Sequence, residues 1–351
     1  MATASKPDRI APMLAKAVAS VPEPDAVEGG LLYEPKWDGF RAIVYFEGGD
    51  VEIGSRGSKS LTRYFPEMVE AFLQLLPEPC VLDGELIVPL GEPGQQKLDW
   101  SALTQRIHPA DSRVQRLAAE TPALFVAFDL LRRGEIDLMD RPFGERRAEL
   151  EDLLDGIASP IHLTQVTKDL ELARSWLEEF EGAGLDGVIA KPLAEPYAPG
   201  KRRMFKVKHH RTADVVAVGY RTHKSGTGVG SLLVGLYDAS GELLNVGGVS
   251  AFSDKMRLEL IDELEPLVER DAAGEPVLGE TERSRFSSGK DVSFVKLRPE
   301  RVLEVRYDHM EGDRFRHTVQ FERWRPDREP RSCTFEQLEV PVVYDLSRVL
   351  R

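Results

Sequence analysis

Residues 31–46, Leu31-Leu32-Tyr33-Glu34-Pro35-Lys36-Trp37-Asp38-Gly39-Phe40-Arg41-Ala42-Ile43-Val44-Tyr45-Phe46, set the reading of the whole chain. Runs of aliphatic, β-branched and aromatic residues flank Lys36-Trp37-Asp38-Gly39, so two strands meet at a short connection that carries a lysine. Taken alone, K-x-D-G is a weak signal, because an Asp-Gly turn between strands explains it as well as a reactive amine does. Other short motifs follow it in order. Ser55-Arg56-Gly57 comes after VEIGS, Asp83-Gly84-Glu85 sits inside VLDGELIV, and Phe128-Asp129 lies in ALFVAFDLL. Asp186-Gly187-Val188-Ile189-Ala190-Lys191 and Phe205-Lys206-Val207-Lys208 complete the series. Coincidence accounts for any one of these strings far more easily than for all of them in sequence.

Composition bounds the rest. The 351 residues hold 46 Lys+Arg against 59 Asp+Glu, with 42% hydrophobic and 30% charged residues, an ordinary globular balance. At roughly 100–200 residues per domain, the length predicts two domains. Cys80 and Cys333 are far apart and neither belongs to a C-x-x-C pair, which argues against a disulfide framework and a cysteine-built zinc site. No signal-peptide pattern opens the chain and no run approaches the ~18 apolar residues of a membrane span, so a cytoplasmic protein is expected. A net charge of −13 excludes a uniformly basic nucleic-acid coat but leaves local basic patches open.

The first 30 or so residues, with prolines at 7, 12, 22 and 24, read as an irregular lead-in. Strands then alternate with helical patterns at Pro66–Leu76, Asp99–Leu117, Gly144–Leu154 and Leu170–Phe180, which predicts an α/β or α+β domain. It ends in PGKRRMFKVKHHR, residues 199–211, with six Lys/Arg and no acid. Beyond Arg211 short strands with glycine-rich turns surround one helix-like stretch, Asp254–Arg270, which predicts a small OB-type β-barrel. The expected division is 1–211 and 212–351.

Residue chemistry alone leaves some positions open. Phe128 suits a core aromatic as well as a base platform. Glu85 in an apolar strand is harder to place structurally, since an unpaired buried carboxylate is costly. The stretch Phe315-Arg316-His317 to Arg325-Pro326-Asp327 reads also as a solvated strand with alternating charges.

In its motifs the chain resembles the covalent nucleotidyltransferase superfamily, and within it the ATP-dependent DNA ligases of the short two-domain bacterial LigC type, over about residues 8–345. The resemblance implies an α+β fold, with a nucleotidyltransferase (ATP-grasp-like adenylation) domain followed by a C-terminal OB-fold β-barrel. It implies that Lys36 attacks the α-phosphate of ATP to form a lysyl-adenylate, with Arg41, Lys206 and Lys208 as catalytic cations. Such neighbours would disfavour the ammonium form of Lys36 and stabilise charge on phosphorus oxygens.

By the same resemblance Arg56 holds phosphate, Glu85 lies at the ribose and metal side, Phe128 stacks on adenine, and the backbone near Glu34 reads the base edge. Lys191, Arg316, Arg325 and Asp327 join the nucleotide-binding set, the last three orienting the leaving pyrophosphate. Mg2+, with Mn2+ as an alternative, is expected at Glu85 and Asp186. The family residue at 186 is usually Glu, so the shorter Asp is expected to reach the metal through water.

The implied reaction seals 5′-phosphate/3′-hydroxyl nicks in duplex DNA, by a monomer, in DNA repair and alongside other repair proteins. DNA contacts are expected from 201–211, Lys224, Arg298 and Arg301, with Glu178–Glu181 and Glu259–Asp271 facing away. Only 35 residues precede Lys36, so no separate N-terminal DNA-binding domain is expected. Two readings compete: an RNA ligase or RNA-capping nucleotidyltransferase of the same superfamily, and a catalytically silent nucleic-acid-binding protein.

Overall fold

The computed structural model describes residues 9–57, 59–92, 96–179, 185–208, 211–281, 292–308, 310–338, 346 and 349–350. Parts of three expectations, the helix end at Phe180, the acidic residue Glu181 and positions 209–210 of the basic strip, lie outside them. The chain forms two compact units, one made of Met1–His209 with Val340–Arg351 and the other of His210–Glu339. In sequence the last stretch follows the second domain. In the structure Leu346 and Val349 are buried among side chains of the first unit.

The first unit is built on two sheets. One has the order β1–β9–β8–β2, where β1 is Leu14–Ala17, β2 Leu31–Pro35, β8 Gly187–Pro192 and β9 Arg202–Lys208. The expected irregular lead-in is thus partly wrong: Leu14–Ala17 pairs in parallel with β9, Ala17 opposite Lys206. A proline-rich sequence hides such a strand because its pairing partner lies almost 190 residues away in the chain.

The second sheet runs β7–β6–β5–β3–β4, with β3 Phe40–Phe46, β4 Val51–Ser55, β5 Cys80–Ile87, β6 Leu124–Arg133 and β7 Ile161–Leu163. Its strands are apolar on both faces, as burial of both faces requires. The helices α1 Pro66–Leu75, α4 Phe143–Leu153 and α5 Leu170–Glu179 fall where helical patterns were expected, although α4 buries Arg146 and Arg147 along with its apolar residues. The single helix expected over 99–117 is broken into α2 Trp100–Gln105 and α3 Asp111–Glu120. Pro109 lies in the break, where it disfavours helix for the residue before it. Buried Arg146 fixes α4 to β6 through a two-point ion pair with Asp129, at 2.8 and 2.9 Å.

The second unit is a curved antiparallel sheet, β12–β11–β10–β14–β13, with β15 pairing β10 and β16. Its strands are β10 Arg211–Thr222, β11 Val229–Tyr237, β12 Leu243–Val249, β13 Leu278–Glu280, β14 Ser293–Lys296, β15 Val302–Tyr307 and β16 Gln320–Trp324. The long β10 pairs with β11, β14 and β15, and a bridge between Val249 and Val319 ties the two ends together, the OB arrangement. One helix, α6 Asp254–Leu264, packs Leu260 and Leu264 into the barrel core.

Candidate active site

Strand register collects the site. Glu34 of β2 stands opposite Ile189 of β8, which stands opposite Lys206 of β9; Lys191 stands opposite Leu32. Because side chains alternate along a strand, Glu34, Lys191, Lys206 and Lys208 share one face of the sheet. Lys36 follows β2 directly. Its backbone is locked to the next motif: Lys36 N–H donates to Gly187 O and Asp186 N–H donates to Lys36 O, both at 2.8 Å. Gly187 permits this, since with φ +130° a Cβ there would lie 1.9 Å from Val207 O. Gly39 is likewise constrained, for a Cβ would lie 2.2 Å from Leu86 O.

The Lys36 ammonium donates to Asp186 Oδ2 at 2.7 Å, and Lys208 Nζ approaches the same oxygen at 3.1 Å. Burial alone would raise the Asp186 carboxyl, but the charges of Lys36 and Lys208 outweigh it and hold the group down at about 2. Burial, then the charges of Lys36 and Lys208, lowers the neighbouring Lys206. Two of the three cations expected near Lys36, Lys206 and Lys208, thus lie beside it, with Asp186 as counter-ion. Its Oδ2 is engaged by two lysines, and no group of three or more metal-ligating side chains occurs among the described residues.

Arg41 departs from expectation. Its guanidinium grips buried Asp83 at 2.5 and 2.6 Å, and Tyr197 Oη donates to the same carboxylate at 2.7 Å. Burial opposes the Arg41 charge, yet Asp83 overrides it and raises the guanidinium. Arg41 thus has Asp83 as its direct partner, although it also lines the cavity and its charge still acts on Glu85. Asp83 is the residue the sequence reading left without a role, although it stands in the quoted Asp83-Gly84-Glu85.

Glu85, two residues on and on the same strand face, accepts Gly39 N–H at 3.1 Å. Burial pushes its carboxyl up to about 7, against the pull of Arg41 and Lys36.

A cavity of about 600 Å3 opens beside Lys36, walled by Asp38, Glu85 and the exposed Arg56 and Lys59, with Leu61 and Ile107 as apolar wall. Behind it lies a buried cluster. Lys191 Nζ is 2.8 Å from Glu34 Oε1, donates to Phe128 O at 3.0 Å and stands 4.5 Å from the Phe128 ring centroid; Arg41 stands 4.4 Å from the same ring. Phe128 is the extra residue of a bulge, since Asp83 pairs with Asp129 and Gly84 with Ala127. A bulge re-aims a side chain. Burial, the largest influence on each, raises Glu34 and lowers Lys191. Glu34 Oε2, although buried, has no hydrogen-bond partner among the described residues. The sequence reading gave Glu34 only a backbone role and missed this side chain.

In the second unit Arg316 lies in the loop before β16 and is half-buried. Arg325 is fully engaged: Nη1 donates to Asp214 at 2.9 Å and Nη2 to Asp327 at 2.8 Å. Arg298 pairs with Glu300 at 2.7 Å, and Arg301 pairs with Glu263 and lies 4.8 Å over the Trp324 ring. Both pairs are partly exposed at the surface of the unit. Arg202, Arg203 and Lys224 are exposed.

Comparison with known proteins decides the family. Residues 12–208 match the model of the ATP dependent DNA ligase domain, and residues 225–328 that of the ATP dependent DNA ligase C terminal region. The chain belongs to the ATP-dependent DNA ligases. It is 54% identical to DNA ligase C2 of Mycolicibacterium smegmatis over 95% of each chain. To DNA ligase C of Mycobacterium tuberculosis it is 53% identical over 97% of each. Among solved structures, a Lig E DNA ligase described as binding DNA with a minimal scaffold superposes with a TM-score of 0.53 at 17% identity, covering 89% of this chain and 99% of that one, a likeness of fold.

The ligase therefore has a nucleotidyltransferase domain followed by an OB-fold domain, and the RNA ligase and capping alternatives are not favoured. No helix among its described residues is long and apolar enough to cross a membrane.

Proposed function

We infer that this ligase seals 5′-phosphate/3′-hydroxyl nicks in duplex DNA through an adenylate carried on Lys36. The supporting observation is a lysine amine on the wall of a cavity, among Lys206, Lys208 and Asp186, in a chain of this family. In the first step Lys36 Nζ, having lost its proton, bonds to the α-phosphorus of ATP and pyrophosphate leaves. The AMP then passes to the 5′-phosphate of the nick, freeing Lys36. Finally the 3′-hydroxyl attacks that phosphate and AMP departs. Each step loads negative charge onto non-bridging oxygens, so fixed cations and alignment carry most of the catalysis.

Roles follow from position. Lys206 and Lys208 face the phosphates, and Arg56 and Lys59 at the cavity wall hold the phosphate arriving from substrate. Phe128 and Glu34 take the adenine. A buried carboxylate oxygen without a donor suits an exocyclic amine, and its pairing would remove the cost of an orphaned acceptor. Arg41 acts as a scaffold for Phe128 and Asp83. Arg316 is the OB-domain residue we assign to the leaving pyrophosphate, while Arg325 and Asp327 hold each other and Asp214.

Glu85 suits a divalent cation: it is a carboxylate at the cavity with burial working against its charge, which a bound cation would relieve. Mg2+ held there would neutralise charge building on nucleotide oxygens. Asp186 serves better as the counter-ion and guide of Lys36 than as a ligand. The protein is read as a cytoplasmic monomer acting in DNA repair with other repair proteins, its exposed Arg202, Arg203 and Lys224 meeting DNA phosphates irrespective of sequence.

The test uses Mg2+ and α-labelled ATP or GTP, followed by nicked DNA or nicked RNA. The expected result is an acid-labile AMP adduct from ATP, absent in Lys36→Ala, and sealing of nicked DNA. Normal labelling of the Lys36→Ala protein would falsify the assignment of the nucleophile.

A further inference from the structure

The residue after the nucleophile is held by the end of the chain. Trp37 is buried, and its indole Nε1–H donates to Thr164 Oγ1 at 2.9 Å. Thr164 lies just past β7, is fully buried, and is fixed on every side: its N–H donates to Ala127 O at 3.0 Å and its carbonyl accepts Arg147 Nη2 at 2.9 Å. A bridge pairs it with Leu350, and Gln165 N–H donates to Val349 O at 3.0 Å. There the N–H groups of Val349 and Leu350 both donate to Leu346 O, at 3.2 and 3.3 Å. That single turn drives Leu346 and Val349, each 1% exposed, into the apolar cluster containing Trp37, Val188 and Val207.

Val188 and Val207 lie on the two strands that carry Asp186 and the lysines at 206 and 208, so one cluster underlies Trp37 and the strands that shape the Lys36 environment. Residue 37 is also one of those lining the cavity. Trp37 is bonded directly to Lys36, whose backbone is held by hydrogen bonds to Gly187 and Asp186.

We propose that Trp37 is a positioning residue for the Lys36 amine, mounted on Thr164 and on Leu346 and Val349 of the final segment. The inference rests on the assignment of Lys36 as nucleophile. Its mechanistic content is selective. Lys36 forms the N–P bond in the first step and is the leaving group in the second, whereas the third step breaks only the bond between AMP and the nick phosphate. A small displacement of a reacting atom is enough to cost on the order of 100-fold in rate. The final segment thus bears on the first two steps without touching substrate.

The experiment compares the full chain carrying Thr164→Val, Thr164→Ser or the pair Leu346→Ala/Val349→Ala. Measured are single-turnover formation of the AMP adduct over a range of ATP concentrations and sealing of a pre-adenylated nick. For Thr164→Val and the double variant, the adduct rate at saturating ATP should fall tenfold or more. Half-saturating ATP and the pre-adenylated sealing rate should stay within about twofold. Thr164→Ser, which keeps the hydroxyl, should recover most of the adduct rate.

Loss of both rates in parallel, or an adduct rate in Thr164→Val equal to the unaltered protein, overturns the proposal. Should the double variant not fold, the Val and Ser pair at 164 decides the matter alone. Failure of the unaltered protein itself to label would instead overturn the functional reading, so the two failures are distinct.

Discussion

Lys36 Nζ and Asp186 Oδ2 lie 2.7 Å apart, and the carboxylate that holds the nucleophile is shared with Lys208 at 3.1 Å. The resting site therefore stores its lysine as one arm of a paired cluster. The hydrogen bond fixes the orientation of the amine before substrate arrives.

That pairing has an acid signature. The Asp186 carboxyl sits at about 2 in the fold against an ordinary value of 3.8, so the folded state binds its proton less readily than the unfolded chain. A depressed acid contributes stability above the unfolded value and loses it as pH falls through the folded one. The contribution, on the order of 2 kcal/mol, is expected in full above about pH 5 and to vanish toward pH 2. Urea midpoints of the unaltered protein and Asp186→Asn at pH 7 and pH 3 check this. The two proteins should differ most at pH 7, and the difference should fall to roughly half at pH 3, on its way to vanishing near pH 2.

Arg41→Ala should act on stability as well as rate. It leaves Asp83, a fully buried carboxylate, held by the Tyr197 hydroxyl without its cationic partner. Breaking such a pair costs about 3 kcal/mol. Chemical unfolding should show a loss of that order, and adduct formation and sealing of a pre-adenylated nick should decline together. A selective loss of adduct formation with unchanged stability would return Arg41 to a direct role at the phosphates.

Glu85→Gln separates charge from shape. The amide oxygen can still accept Gly39 N–H, so the strand connection should survive. Loss of the carboxylate at the cavity is expected to reduce the adduct rate about 100-fold, in line with removal of one electrostatic contributor. It should also raise the Mg2+ concentration needed for half-maximal rate. An unchanged metal titration would argue against Glu85 as the holder of the cation.

The two OB-domain arginines should part company. Arg316→Ala is expected to impair adduct formation while leaving sealing of a pre-adenylated nick largely intact. Arg325→Ala deprives Asp214 and Asp327 of a shared partner and should appear as lost stability. Thermal melts beside the two activity readings distinguish them.

How much of this was legible in sequence follows from the range over which each interaction acts. The strands around Lys36, the helices at 66–75, 143–153 and 170–179, and the change to a β-rich second unit were readable because side-chain periodicity and turn residues are local signals. The break in the helix over 99–117 was signalled only by Pro109 and was passed over. So were the parallel pairing of Leu14–Ala17 with β9 and the bulge at Phe128, because both depend on which distant strand lies alongside.

The same division holds in the site. Sequence alone determined the chemistry on offer: a lysine beside an Asp-Gly connection, a carboxylate in an apolar strand, and a basic strip bearing Lys206 and Lys208. Tertiary structure decided the pairings. It gave Arg41 to Asp83, joined Lys191 to Glu34, set Asp186 between Lys36 and Lys208, and brought Leu346 and Val349 beneath Trp37. Charges and apolar side chains carry no record in sequence of which distant partner they will meet. That is fixed only when strand register and core packing bring residues tens to hundreds of positions apart to within a few ångströms.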